Sequence, residues 1–412
     1  MTTLAKAVLV RGVTECFLCH GDLIPVLYLG EHYLTDFLTA PDASHPKARL
    51  DLLACPDCHI MRLGHIVSRD KLFRTYWYRS GVNSTIVAHL GKLAQDLTQR
   101  LSLGTGDAVL DIGANDGTFL RLFNPLVKRY GFEPARNLLA DALLGGNQVV
   151  GDYFTVEGYR AAFGTAKAKL VTSLAMFYDL PEPGQFVEDV RSVLAQDGLW
   201  VVEMNYLGDM LRHNAFDFIG HEHVSMYFLA GFIKLVRQHG LSVHDVEFND
   251  LNGGSIRIFV GFPGKRVTTG NVDVALRREA PQRHPEAYKR FANNVQDTIS
   301  TLRVWMDLAR AEMASVYAYG ASTRGMTTLQ AVGLDFTTVQ KAVDKNPEKV
   351  GKFMAGVDIP IISEAQFRLE KPAYLLVLPW GFIDEFRQRE KAYLDGGGAM
   401  IVPMPSPRMV TG

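Results

Sequence analysis

The stretch Val109-Leu110-Asp111-Ile112-Gly113-Ala114-Asn115-Asp116-Gly117-Thr118-Phe119 passes from an apolar run, through a turn of small residues, into the start of a helix. Glycines at 113 and 117 let backbone approach a bound group, and Asp111 at the strand end can accept hydrogen bonds or steer a cation. The stretch is not G-x-G-x-x-G, so the fit to a dinucleotide pyrophosphate is missing. Outward from it, strand-like runs at 108–112, 129–132, 169–173 and 198–204 are separated by helix-length spans. That alternation is the βαβ rhythm of a parallel, doubly wound sheet. A helical stretch at 84–103 leads into the first strand. A second strand–glycine–helix unit spans 316–332, with further strands at 341–343 and 374–378. Between the two units, 270–285 carries charge, Gly and Pro and reads as a linker, and a helix from 285 to 313 follows it.

With 412 residues, 47% of them apolar, the chain is long enough for two to three full cores. Lys and Arg number 43 against 44 Asp and Glu, a net charge of −1. No global basic field is available to neutralise phosphates, so nucleic acid is not an expected partner. The longest apolar stretches, such as 373–380, fall far short of the ~20 residues a membrane-spanning helix needs. A cytoplasmic protein without membrane partners is expected.

All four cysteines lie early in the chain, as two C-x-x-C knuckles: Cys16 with Cys19, and Cys55 with Cys58. Thiolates spaced this way chelate one tetrahedral Zn²⁺ from a tight turn, and a second knuckle closes the site. The gap between knuckles exceeds that of ordinary zinc ribbons, so an insertion is expected there. Disulfides are the competing reading, disfavoured in a cytosolic chain. With four protein ligands and no open position, the metal is structural.

Further acids follow the opening motif in order. Tyr130-Gly131-Phe132-Glu133-Pro134 places Glu133 at the end of the second strand, positioned for ribose hydroxyls. Gly151-Asp152-Tyr153-Phe154 suits the edge and face of an adenine, and Ser173 to Leu180 would line the cleft at the next strand end. Taken singly, Asp111, Glu133 and Asp152 are ordinary turn and capping acids. As an ordered set they resemble the binding motifs of class I S-adenosylmethionine (SAM) methyltransferases. That resemblance implies SAM contacts from Asp111, Gly113, Asn115, Gly117, Glu133, Asp152, Tyr153, Phe154 and Ser173.

A second constellation is Gly220-His221-Glu222-His223. Its i, i+2 spacing aligns both imidazoles only on an extended segment and is not the helical i, i+4 pattern of a zinc protease. Acid–base work is the functional alternative, since imidazole titrates near neutrality.

The whole chain resembles the SAM-dependent C-methyltransferases of nucleotide-linked 4-ketosugars, which build branched deoxysugars for antibiotics and surface glycans. The likeness rests on the cysteine knuckles, Tyr78-Arg79-Ser80-Gly81, the 111–119 loop, His221-Glu222-His223, Tyr317 to Gly325, and Asp344 to Gly351. It implies three α/β parts: a small zinc-binding domain (1–75), a class I SAM methyltransferase Rossmann-like domain (76–270) and a C-terminal Rossmann-like domain (285–412) that binds substrate. It further implies His223 as general base, Glu222 as a carboxylate holding the sugar, His221 beside them, and a phenol from Tyr76 or Tyr78 near the reacting carbon. Gly220 departs from the pattern, since family members often carry Tyr there.

Tyr319-Gly320-Ala321-Ser322-Thr323-Arg324-Gly325 lies between strand and helix, where backbone N–H groups and the helix dipole suit a phosphate. Ser322, Thr323 and Arg324 are therefore candidate contacts to the diphosphate of a nucleotide-sugar, Ser255 and Arg257 face the cleft as further substrate contacts, and Tyr76, Tyr78 or Asn205 would supply the donor missing at Gly220. The fused design permits a monomer. Competing readings are a methyltransferase acting on a non-sugar acceptor (C-, O- or N-methylation) and a ligand-binding zinc/Rossmann protein without turnover.

Overall fold

Ala108–Ile112 is buried at every position, as a strand covered on both faces must be. It pairs in parallel with Lys128–Phe132 on one side and Ala168–Leu174 on the other. The full seven-stranded sheet runs Ser242–Asn249, Ser255–Gly261, Leu194–Asn205, Ala168–Leu174, Ala108–Ile112, Lys128–Phe132, Gln148–Val150. Ser255–Gly261 is antiparallel to both neighbours. Chain order reverses between Ala108–Ile112 and Ala168–Leu174, and the crevice beyond their C-terminal ends is the natural ligand site of such a sheet. The computed structural model describes residues 10–412, so the start of the expected 1–75 segment lies outside the described residues.

Residue parity divides the core of this sheet. Val109, Leu170, Leu199, Val201 and Phe259 pack under the helix Ser84–Leu101. Leu110, Ile112, Val171, Trp200 and Val202 face the opposite layer, as alternate residues of a strand must. The helix buries Ile86, Leu90, Leu93, Leu97 and Leu101 along one stripe, and Asn83 caps it by accepting from the Thr85 N–H.

The C-terminal part is a second doubly wound sheet. Its parallel core is ordered Ala399–Val402, Tyr374–Val377, Val316–Tyr319, Lys341–Asp344, Ile359–Ser363. The helix Pro285–Ala311 leads into it, as expected. The expected linker at 270–285 is instead the helix Gly270–Glu279 and a short 3-10 turn. Val272 and Ala275 are buried there, and the charges read as linker composition are its solvent face. Glu279 anchors its end, accepting from the Tyr206 hydroxyl and from the Leu229 and Ala230 N–H groups.

The three parts exchange strands. The cysteine-bearing segment forms a sheet from Ile24–Tyr33, Lys47–Ala54 and Ile60–Leu63, and its fourth strand, Ser225–Tyr227, comes from just after His221-Glu222-His223. The insertion between the knuckles supplies Phe37–Leu38, which pairs with Phe353–Met354 at the edge of the C-terminal sheet. Among the described residues, no helix is long and apolar enough to cross a membrane.

Candidate active site

The opening motif forms a tight loop at the sheet's reversal point. Gly113 (φ +79°), Asn115 (φ +52°) and Gly117 (φ +72°) all adopt left-handed backbone, and the Phe132 carbonyl accepts from the N–H groups of Gly113 and Ala114. Gly113 faces the cavity. Gly117 does not. A Cβ there would stand 2.6 Å from the Ala142 carbonyl oxygen, so this glycine serves close packing of loop on neighbouring chain rather than approach to a ligand. Tyr78-Arg79-Ser80-Gly81 straps the loop: the Asn115 amide accepts from the Ser80 N–H and donates to the Tyr78 carbonyl, and Asp116 accepts from the Gly81 N–H.

A cavity of about 290 Å³ opens beside the loop. Asp111 and Glu133 reach it from adjacent strand ends. Burial, only partly offset by the Thr172 hydroxyl, pushes the Asp111 carboxyl up to about 7. Burial likewise raises Glu133 to about 7, although it accepts from the N–H groups of Ala135 and Asn115. Asp152, Tyr153 and Phe154 form another wall. Asp152 pairs with Arg74 at 2.9 Å, and the guanidinium groups of Arg69 and Arg74 lie over the Tyr153 ring. Ser173 is turned away: its hydroxyl accepts from the Trp200 indole at 3.1 Å, and Leu174, Ala175 and Met176 line the cavity in its place. Two acids at strand ends, an open backbone turn and an apolar wall with Phe154 are a donor set that fits a nucleoside with a zwitterionic amino-acid tail.

The histidine pair is split. Residues 221–222 form a turn rather than extended chain, so the two imidazoles diverge. His221 points into the cysteine-bearing sheet and donates to the Ala48 carbonyl at 3.1 Å, outside the cavity. His223 lines the cavity. Its Nδ1–H donates to the Phe218 carbonyl at 2.6 Å, and its ring stacks on Phe218 at 4.1 Å with Tyr178 edge-on at 4.8 Å. Burial, with help from the Arg324 charge, pushes its pKa down to about 3. The ring is therefore neutral, and with Nδ1 committed to Phe218 the lone pair is on Nε2. The Tyr76 hydroxyl donates to Glu222 at 3.2 Å, and burial raises the Glu222 carboxyl to about 7. Tyr76, Tyr78 and Asn205 line the same cavity.

A second cavity lies over the reversal point of the C-terminal sheet, lined by Ser322, Thr323, Asp344, Lys345, Lys349 and Arg389 among others. Tyr78, Asn252, Thr323 and Arg324 line both cavities. The Ser322 hydroxyl caps the helix Thr323–Val332 by accepting from the Gly325 N–H. Arg324 is already engaged: Nη2 pairs with Asp217 at 2.8 Å and Nη1 donates to the Asn252 carbonyl at 2.7 Å. The Trp380 indole donates to the same Asp217 oxygen. Sequence reasoning missed Asp217, because nothing local marks a carboxylate whose partners lie 107 and 163 residues away. Two further expectations move. The Ser255 hydroxyl donates to the Leu251 carbonyl, and Arg257 is bound by Glu203 and Glu247 at 2.7 and 2.9 Å. Neither lines either of these two cavities. The residue that does is Glu203, with His89: burial would raise its carboxyl, but His89 and Arg257 outweigh it and hold it below the ordinary range.

The four cysteine sulfurs lie within 4.8 Å of one another, against about 3.8 Å for thiolates on a tetrahedral Zn²⁺ with Zn–S near 2.3 Å. In each knuckle the residue after the second cysteine, His20 or His59, is left-handed (φ +59° and +53°), and the first cysteine sulfur accepts a backbone N–H, from Leu18 or Cys58. Among the described residues, no His, Asp or Glu joins the four sulfurs, so the donor set suits a closed structural zinc site. Lys234, from the methyl-donor domain, donates to the Cys58 sulfur at 3.2 Å.

This combination defines a class I SAM-dependent methyltransferase fused to a zinc-binding segment. A C-methyltransferase C-terminal domain model matches residues 250–405, a methyltransferase domain model 86–246 and a zinc binding domain model 16–73. The C-methyltransferase NovU of Streptomyces niveus is 33% identical over 98% of both chains. The chain belongs to this C-methyltransferase family, with SAM as its cofactor and zinc as its metal. Solved structures are more distant. A SAM-dependent methyltransferase of Clostridium acetobutylicum is 10% identical over 43% of this chain and 92% of its own, TM-score 0.34. The N-methyltransferase NodS of Bradyrhizobium japonicum is 15% identical over 44% and 98%, TM-score 0.33.

Proposed function

We propose that this SAM-dependent C-methyltransferase acts on a nucleotide-linked 4-ketosugar, removing a proton from a carbon next to the keto group and methylating that carbon. The observation that carries the reading is the joining of two cavities through Tyr78, Asn252, Thr323 and Arg324. One holds the neutral imidazole of His223. The other offers the capped helix start at Ser322–Thr323 with Lys345 nearby, groups suited to a diphosphate, while Lys349 and Arg389 are held by Asp344 and Glu385.

In this reading, Asp111, Asn115, Glu133, Asp152, Tyr153 and Phe154 hold the cofactor, which supplies an electrophilic sulfonium methyl group when bound. His223 Nε2 takes the α-proton, and the Nδ1–H bond to Phe218 keeps the ring in the tautomer that leaves Nε2 free. Tyr76 lines the cavity and holds the sugar beside the imidazole, while Glu222, expected as the sugar's carboxylate, is outside the cavity lining and accepts from the Tyr76 hydroxyl. The low basicity of the buried ring keeps it unprotonated at neutral pH, ready to accept.

Incubation with SAM and a panel of dTDP-, GDP- and CDP-linked 4-ketosugars tests the assignment. One panel member is expected to gain one methyl group, bonded to carbon. Methyl transfer to a non-sugar carbonyl compound, with no panel member altered, would replace the acceptor.

A further inference from the structure

Strand Ala168–Leu174 ends in a left-handed Ala175 (φ +53°) and a single turn, Phe177–Asp179. That turn presents two adjacent polar groups to the His223 end of the cavity. Tyr178 lies edge-on to the imidazole, and Asp179 lines the wall beside it. Its Oδ1 is fully buried and has no hydrogen-bond partner. Glu222, Tyr76 and Tyr178 are the titratable groups that interact with it, and His223 and Arg324 line the same cavity. Of these only Arg324 is a cation, and it is bound to Asp217.

Two carboxyl groups thus interact with no free positive charge beside them. They cannot both ionise. Burial and the neighbouring Glu222 charge push Asp179 well above the ordinary carboxylate range, and burial raises Glu222 to about 7. Glu222 already accepts a hydrogen bond from Tyr76, which favours its ionised form. Asp179 Oδ1 receives no such hydrogen bond, so the proton the pair keeps is assigned to Asp179, making it an O–H donor. Deprotonation next to a ketone needs such a donor at the oxygen, where negative charge develops. Gly220, directly before the histidine pair, has no side chain to supply one.

We propose that Asp179, as a neutral carboxylic acid, donates a hydrogen bond to the substrate carbonyl oxygen while His223 removes the α-proton. The C–H electron pair becomes the C=C bond of the enolate, the carbonyl π pair moves to oxygen, and the proton goes to His223 Nε2. When the enolate carbon forms its bond to the methyl group, the methyl–sulfur bond of the sulfonium donor would break with its pair leaving on the thioether sulfur, the C=O re-forms and Asp179 keeps its proton. This role rests on the 4-ketosugar reading above.

The test uses the full-length zinc-loaded protein, SAM and the same panel of 4-ketosugars linked to dTDP, GDP or CDP, assayed from pH 6 to 10. Asp179→Leu, which cannot donate, is expected to lose kcat by about 10²–10³-fold with KM little changed. Asp179→Asn, which keeps an N–H donor but no titration, is expected to stay within about tenfold of wild type and to lose the alkaline limb of the profile. Asp179→Leu with more than a third of wild-type kcat, or an unaltered alkaline limb in Asp179→Asn, overturns the proposal. If Asp179→Leu does not fold, the Asn profile alone decides. A wild-type protein that leaves every panel member unchanged refutes the ketosugar reading and this role with it. Active wild type with indifferent Asp179 variants refutes this role alone.

Discussion

Replacing Arg324 by Met removes the cation that joins the methyl-donor domain to the C-terminal sheet. The Asp217 side chain is only 2% exposed and that of Arg324 18%, so the pair is dry enough for its loss to matter. Arg324→Met leaves Asp217 with the Trp380 indole alone at 3.1 Å, a buried carboxylate without a counter-charge. Removing one partner of such a pair costs about 3–5 kcal/mol. Most of that is the stranded charge, so Asp217→Asn in the same chain should restore stability. The Asn carbonyl still accepts from Trp380. Chemical denaturation of the two single variants and the double variant gives the coupling directly, expected to exceed about 2 kcal/mol. Additive single effects, or a loss under about 1 kcal/mol in Arg324→Met, would show that Arg324 is a free anion-binding group, as its sequence context suggests, and refute the interdomain tie.

Three other outcomes are expected. Glu222 titrates near 7 in the folded chain against an ordinary 4.5; its contribution to stability is full below about pH 4.5 and is lost as pH rises through 7, up to about 3 kcal/mol. Thermal melts of Glu222→Gln without cofactor should therefore fall less between pH 5 and 8 than wild type; an identical slope would contradict the assignment. Metal analysis should find about one zinc per chain and its loss in Cys58→Ala, with a lower melting temperature, because four thiolates make a closed site; a metal-free wild type of unchanged stability would contradict it. Gly117→Ala forces a Cβ against the Ala142 carbonyl at a left-handed residue and should cost about 1–3 kcal/mol in a denaturant melt; a neutral effect would return Gly117 to the ligand-facing role first assigned to it.

What the sequence discloses is local. The strand–turn–helix at 108–119, the acids at successive strand ends and the paired knuckles each declare themselves within a few residues, and the structure sets Asp111, Glu133 and Asp152 around one cavity and the four sulfurs together. Parity decides what the sequence leaves open. Thr172 shares a face with Asp111 and bonds it, which sends Ser173 to the opposite layer and Trp200. The same holds for His221, which a turn directs to Ala48 while His223 enters the cavity. Long-range commitments are the least legible. Arg324 and Arg257 look like free cations in sequence, yet Asp217 and Glu203 claim them. Strand exchange is equally hidden, since Phe37–Leu38 and Ser225–Tyr227 are too short to advertise their partners. Through the Ser225–Tyr227 pairing the cysteine-bearing sheet grips the chain two residues after His223.

The central claim is that His223 generates a carbon nucleophile. It is tested most directly by proton NMR of a 4-ketosugar substrate in D₂O, with wild type and His223→Ala compared with and without SAM. The account predicts deuterium incorporation at the α-carbon by wild type, and neither exchange nor methyl transfer by His223→Ala, a loss of at least about 10²-fold. Exchange retained in His223→Ala would contradict it.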